Sequence, residues 1–335
     1  MKKLFTLGVT LIVLGIVSLI TGCSAVFHTT SLGNVVDKTY DFKDFTKIEL
    51  SNSFQYDIKQ ADNYSVVISA PQNELDRIDI RQSGDSLIVT MKYIPFLSAN
   101  PRITVTMPQL NKLAASDSCE GSAIGFNSNN NLEIDLHSSS RLNMDITAGK
   151  TTIDISGSSN ISGKLTAADT NVSVTSSSRL DMALITGKTS MTFSGSSRGS
   201  GSLTAGDTAI SVNSSSDINI AMKTGNASFT ASGSSYIDGI LSALGSDFNL
   251  TGSSHSNLQG TTGDVTIFAS GSSYVNFLGL ILQGADVTLQ SSSHAIVNTD
   301  GALDINISGS SILDYYGHPS IGTVNVSSSS KLNRK

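Results

Sequence analysis

The sequence predicts an all-β protein: a right-handed parallel β-helix (β-solenoid) of about 19 residues per coil, preceded by a β-rich N-terminal region. Three observations predict it. A Ser-Ser or Gly-Ser-Ser corner recurs at a near-constant interval through most of the 335 residues, and apolar residues keep phase with it. Charged residues make up only 14% of the chain, well below the usual quarter, and Ser, Gly, Thr and Asn stand in their place. Disorder needs low hydrophobicity and high net charge, whereas this chain is 39% hydrophobic with a net charge of −6. An acidic balance without Lys/Arg clusters also excludes nucleic-acid partners, since binding a polyphosphate requires cations to displace its counterions.

Residues 1–22 read as an export signal. Lys2 and Lys3 form a basic start, an apolar run extends from Leu4 to Ile20, and Ile20-Thr21-Gly22-Cys23 has the form of a bacterial lipobox. Cleavage before Cys23 would leave an N-terminal cysteine carrying lipid on sulfur and amine. More than one acyl chain anchors durably, because each buried methylene adds about 0.8 kcal/mol. A run of about 17 apolar residues is also just long enough to span a bilayer, but Gly22-Cys23 falls where a cut is expected. Residues 23–38 then form the lipidated cysteine and a polar tether. With Cys23 lipidated, Cys119 has no partner in the chain and reads as a small buried hydrophobe.

Residues 39–115 form the N-terminal β region. Lys47-Ile48-Glu49-Leu50, Gln55-Tyr56-Asp57-Ile58, Leu87-Ile88-Val89-Thr90 and Ile103-Thr104-Val105-Thr106 alternate with period two between turn residues. Only residues 73–77 hint at a helix, and Pro95 and Pro101 mark a loop.

Residues 116–335 form the serine-rich solenoid. The final corner serine falls at Ser140, Ser159, Ser178, Ser197, Ser216, Ser235, Ser254, Ser273, Ser293, Ser311 and Ser330, at intervals of 19 apart from one of 20 and one of 18. Six and four positions earlier come pairs such as Ile153/Ile155, Val172/Val174 and Phe248/Leu250, and two positions later come Leu142, Ile161, Leu180 and Ile218. A 19-residue strand–corner–strand unit cannot bury its own apolar face, so copies must stack into one continuous core. Parallel crossovers of this kind are overwhelmingly right-handed. Eleven coils at the inter-strand spacing would stack over roughly 50 Å.

Some columns alternate with period 38, as in Met144, Gly163, Met182, Gly201, Ile220, Gly239, which leaves a flattened 38-residue coil as the alternative. The turn column Lys150, Asp169, Lys188, Asp207 argues for 19, because a 38-residue coil would place lysine on lysine.

Phe45-x-x-Ile48-Glu49-Leu50, Gly84-Asp85-x-Leu87-Ile88-Val89 and Ile103-Thr104-Val105-Thr106-Met107-Pro108-x-Leu110, followed by Ser-Gly-Ser-Ser repeats, resemble the bacterial head-GIN domain family of auto-transporter adhesins. The resemblance covers about residues 40–335. It departs from the family pattern at Ser116-Asp117-Ser118-Cys119, where a Ser-Gly-Ser corner would be expected. The resemblance implies an extracytoplasmic, non-enzymatic β-helix and carries no catalytic or cofactor-binding residues.

Few residues suggest chemistry. Gly195-Ser196-Ser197-Arg198-Gly199 matches the G-x-S-x-G elbow, but a serine stands at that corner in every repeat and no helix follows. The histidines show no metal spacing, and neither catalytic residues, a metal nor a cofactor is expected. Tyr236, His255, Tyr274 and His294 share the column one place after the corner. They form either a stack that stabilises the coils or a ligand edge for a surface glycan or protein. Thr151, Thr170, Thr189 and Thr208 form a short threonine column, the one feature of an ice-binding face. The function expected is that of a lipid-anchored, extracytoplasmic protein of the bacterial cell envelope, with an adhesion, scaffold or envelope-sensing role. The alternative is a β-helix that binds or degrades polysaccharide. Expected partners are the membrane, through the lipid on Cys23, and other copies of the chain end to end, because Lys331 to Lys335 follow the last corner directly and give it little cap.

Overall fold

The computed structural model describes residues 33–92 and 101–335. The export segment, Cys23, His28 and Pro95 lie outside the described residues. The fold is an all-β solenoid, 66% strand, in which coils of about 19 residues stack through about 12 turns.

Each regular coil is one strand, a four-residue corner, a second strand and a tight turn, so two parallel sheets run up the stack. In the first sheet Asp169–Val174 pairs with Lys188–Phe193, and in the second Arg179–Ile185 pairs with Arg198–Thr204. The registers Val172↔Met191 and Leu180↔Gly199 are both offsets of 19, which removes the 38-residue alternative. Alternate side chains point inward, and Ile153, Ile155, Val174, Phe193, Val212 and Ile237 are buried in a single continuous core.

The corners explain the serine repeat. Their second residue has a left-handed backbone, at Ser176 (φ 65°) and Ser214 (φ 66°) as at Gly195 (φ 82°) and Gly233 (φ 77°). Only small residues, or residues that bond to their own backbone, hold that conformation cheaply. The final corner serine is buried. Ser254 Oγ donates to the Thr251 carbonyl at 2.9 Å, and Ser197 and Ser216 hydroxyls meet at 3.1 Å. The repeat therefore displays only its middle serines, such as Ser176 and Ser177, and not the serine that recurs most regularly.

The threonine column also points inward. Thr151, Thr170, Thr189 and Thr208 are buried, and Thr208 bonds the Thr224 hydroxyl at 2.9 Å. An ice-binding face needs these hydroxyls in solvent, so that reading is withdrawn.

Stacking continues below the serine repeats. Lys47–Leu50 pairs in parallel with Lys112–Ala115, and Gln55–Gln60 with Glu120–Asn127. On their other side the same two strands pair with Ser86–Met91 and Arg102–Met107. The chain thus enters at the second layer, builds the first and returns. Antiparallel strands close the outer edges of that first layer: Ile78–Ser83 on one sheet, and Ser65–Pro71 with Val35–Tyr40 on the other. The short helix Gln72–Leu75 follows Pro71. The corner at Ser116 to Cys119 forms despite its unusual sequence. Asp117 and Ser118 take the left-handed backbone, and buried Cys119 occupies the place of the corner serine. This corner adds one coil below the eleven that the corner serines mark.

Candidate functional site

The aromatic column lies on the outward face of the second sheet. Tyr236–Ser242 alternates outward Tyr236, Asp238 and Ile240 with inward Ile237 and Leu241. The next coils place His255, Asn257 and then Tyr274, Asn276 in register with them. Strand parity thus fixes which residues reach solvent.

The rings do stack along the coils. Tyr236 and His255 lie 4.8 Å apart and nearly parallel at 15°. Tyr274 is tilted 54° to His255 at 6.0 Å, and His294 meets Tyr274 edge-on at 5.2 Å. Only Tyr236 and His255 turn their faces on each other; Tyr274 and His294 lie at steep angles to their neighbours. His294 Nε2 is 3.0 Å from Asp314 Oδ2, which ties the upper end to the final coils. Beside the rings, Asn276 Nδ2 donates to Asn257 Oδ1 at 3.0 Å.

The sequence reading missed the aliphatic side chains next to this ladder. Ile240 is 56% exposed, Leu278 43%, Ile281 60% and Tyr236 45%. Ile240 could have been found by parity, since it stands four residues after Tyr236. Leu278 could too, since it stands four residues after Tyr274, but Ile281 could not, because the interval of 20 between Ser273 and Ser293 hides an extra residue. Register slips between Asn257 and Gly260, where the two residues 258–259 face the three residues 277–279, and the phase of the outward positions that follow in that strand shifts.

Electrostatics on this face are local. Burial, then the charge of Asp217, raises the carboxyl pKa of Asp238, and a hydrogen bond from Asn257 offsets part of the rise. Burial acts against the charged form of Asp314 too, but hydrogen bonds from Asn333 and His294 and the charge of Lys335 hold its carboxyl below the usual range.

Ser197 in the G-x-S-x-G match is fully buried and bonded to Ser216, so its hydroxyl is not presented as a nucleophile. Among the described residues no group of three or more His, Cys, Asp or Glu is placed to hold a metal.

The family described as "Putative auto-transporter adhesin, head GIN domain" matches residues 44–208 and 198–319. No curated protein matches the chain. A crystal structure of a putative adhesin from Bacteroides fragilis superposes with a TM-score of 0.53 at 17% identity, over 62% of this chain and 97% of that one. A putative adhesin from Parabacteroides merdae gives 0.48 at 13%, over 90% and 97%. A putative lipid binding protein from Parabacteroides distasonis gives 0.31 at 16%, over 90% and 97%. At 17% identity the likeness to the Bacteroides fragilis structure is one of fold.

Proposed function

Because the chain belongs to the head GIN domain family of putative auto-transporter adhesins, we propose that it is a non-catalytic adhesion protein of the bacterial cell envelope. In this reading lipid on Cys23 holds it to a membrane, and the outward face of the second sheet meets a partner on another surface. One observation carries the proposal. Of the eleven exposed large apolar side chains among the described residues, four, Tyr236, Ile240, Leu278 and Ile281, stand on the face that carries the ring ladder. A spacer needs only a polar exterior, whereas a strip of this kind on a soluble face marks contact with another molecule.

The strip favours a protein partner. Burying aliphatic surface contributes about 25 cal/mol per Å² before the cost of association, whereas a sugar stacks on a flat ring face, and the faces of Tyr236 and His255 are turned on each other. Tyr236, His255, Tyr274 and His294 then act as the rigid border of the contact.

The test is attachment of whole cells. Cells carrying Ile240→Asp with Ile281→Asp should lose most attachment to host or neighbouring cells, at unchanged surface level. Attachment of a deletion strain equal to that of wild type, on every surface tried, would overturn the adhesion reading. Loss of surface retention in Cys23→Ser supports the anchor, and continued palmitate labelling of that variant refutes it.

A further inference from the structure

The repeat breaks once more, near its start. Cys119 and Ser140 are 21 residues apart where later corners are 19 apart. One extra residue is Gly125, a bulge with φ +86° where register slips between Asp145 and Ile146. The other lies in the turn at residues 128–131, since Asn127 pairs with Thr147 and Leu132 with Thr151. In solenoids such insertions project as loops on one face, commonly the binding face.

Here the longer turn walls a groove of about 620 Å³. Its lining includes Asn111, Asn130, Asn131, Glu133, Lys150 and Thr152. Gln109 Nε2 donates to Asn111 Oδ1 at 2.6 Å, which leaves the Asn111 amide nitrogen free to donate. Lys112 takes one oxygen of Glu133 at 2.7 Å. The side chains of Asn130, Asn131, Lys150 and Thr152 make no hydrogen bond to the other described residues. The only apolar lining residue, Leu132, is 2% exposed.

We propose that this groove is a second binding site, for a hydroxyl-rich glycan. Each sugar hydroxyl donates and accepts at once, and the side-chain amides of Asn111, Asn130 and Asn131 and the hydroxyl of Thr152 answer both roles without charge. The Glu133 carboxylate adds an acceptor and the Lys150 ammonium a donor. A groove whose one cation without a partner among the described residues stands beside a carboxylate does not suit a polyphosphate. With its one leucine buried, it offers nothing to an apolar chain. The size suits an oligosaccharide segment lying along the surface. This site stands apart from the apolar strip and does not depend on it.

The experiment is capture of the full chain, in detergent micelles, on arrayed neutral and uronic-acid-containing oligosaccharides. Wild type should be captured by at least one of these probes, and Asn130→Ala with Asn131→Ala should weaken that capture about tenfold or more. Lys150→Ala should weaken acidic probes more than neutral ones. The strip variant Ile240→Asp with Ile281→Asp should bind as wild type. Both asparagines are exposed in a turn, so thermal melts of their variants should match wild type. No capture on any probe, or capture unchanged in the double asparagine variant, overturns the proposal. Equal loss in the strip variant would place the glycan on the strip and overturn it too.

Discussion

Cys119 shows how one column position can be filled by different chemistries. Going up the stack, the residues at this place are Phe54, Cys119, Ser140 and Ser159, each followed by an amide that donates to a carbonyl one layer below. Ser254 Oγ bonds inside its corner to the Thr251 carbonyl, but Ser140 Oγ and Ser178 Oγ are buried without a partner among the described residues. A thiol, which tolerates burial with weak bonds, avoids that cost. Burial raises the Cys119 pKa to about 11, partly offset by backbone bonds from Phe54, Ser53 and Ser116. Near pH 8 only about a thousandth of it is thiolate, and thiolate is the reactive form. With Cys23→Ser in place, leaving Cys119 as the only thiol, a disulfide reagent should modify the folded chain at least about a hundredfold more slowly than the denatured one. Rapid reaction in the folded state would mean the corner opens. The burial of Cys119 was legible from the missing partner in the sequence. Its role as a corner residue was not, because Ser-Asp-Ser-Cys lacks the final serine that labels later corners.

The coil is held to its neighbour by more than strand pairing. The alternation Lys150, Asp169, Lys188, Asp207 correctly set the period at 19, yet the bond formed is not an ion pair between side chains. Asp169 Oδ1 accepts the backbone N–H of Lys188 at 2.9 Å, and Asp207 that of Asn226 at 3.0 Å. A turn aspartate thus satisfies an amide of the next coil, a contact that composition does not announce. Asp314 does similar work in the final coils. It accepts from Asn333 at 2.8 Å, lies 3.0 Å from His294 Nε2 and 3.5 Å from Lys335. Its carboxyl pKa is lower folded than unfolded. The stabilisation is therefore fully present above the ordinary carboxylate range and is lost as pH falls through the lowered folded value. Hydrogen exchange should show Ile312–Tyr316 and Lys331–Arg334 losing protection on acidification before the middle coils do. Asp314→Asn should remove that difference, and an identical acid profile for the variant would assign it to other groups.

At the scale of the molecule, the fold was legible in corner spacing and strand parity, because a solenoid repeats one local solution. The layer order of the N-terminal strands was not, since the chain builds the first layer after the second and nothing local marks that return. The 38-residue alternation is the remaining whole-chain signal. It does not set coil length but it does constrain the order of coils. Gly163, Gly201 and Gly239 have φ of +117°, +118° and +139°, and a Cβ at each would collide with the carbonyl of the residue beneath, Met144, Met182 or Ile220. Those larger residues are buried, so each fills core space that its glycine neighbours leave. Removing residues 217–235 takes out one coil and keeps every strand in register, but it sets Gly201 against Gly239 with no apolar residue between. Removing residues 217–254 takes out two coils and sets Gly201 against Leu258, which preserves the alternation. Solenoid stability is close to a sum of coil and nearest-neighbour contributions, so on length alone the shorter protein should be less stable. An emptied core position costs about 2–5 kcal/mol, a loss that falls on the one-coil deletion alone. The two-coil deletion should therefore melt above the one-coil deletion, by several degrees in a circular dichroism scan. The opposite order would mean that the glycine columns serve the backbone alone and that coils are interchangeable.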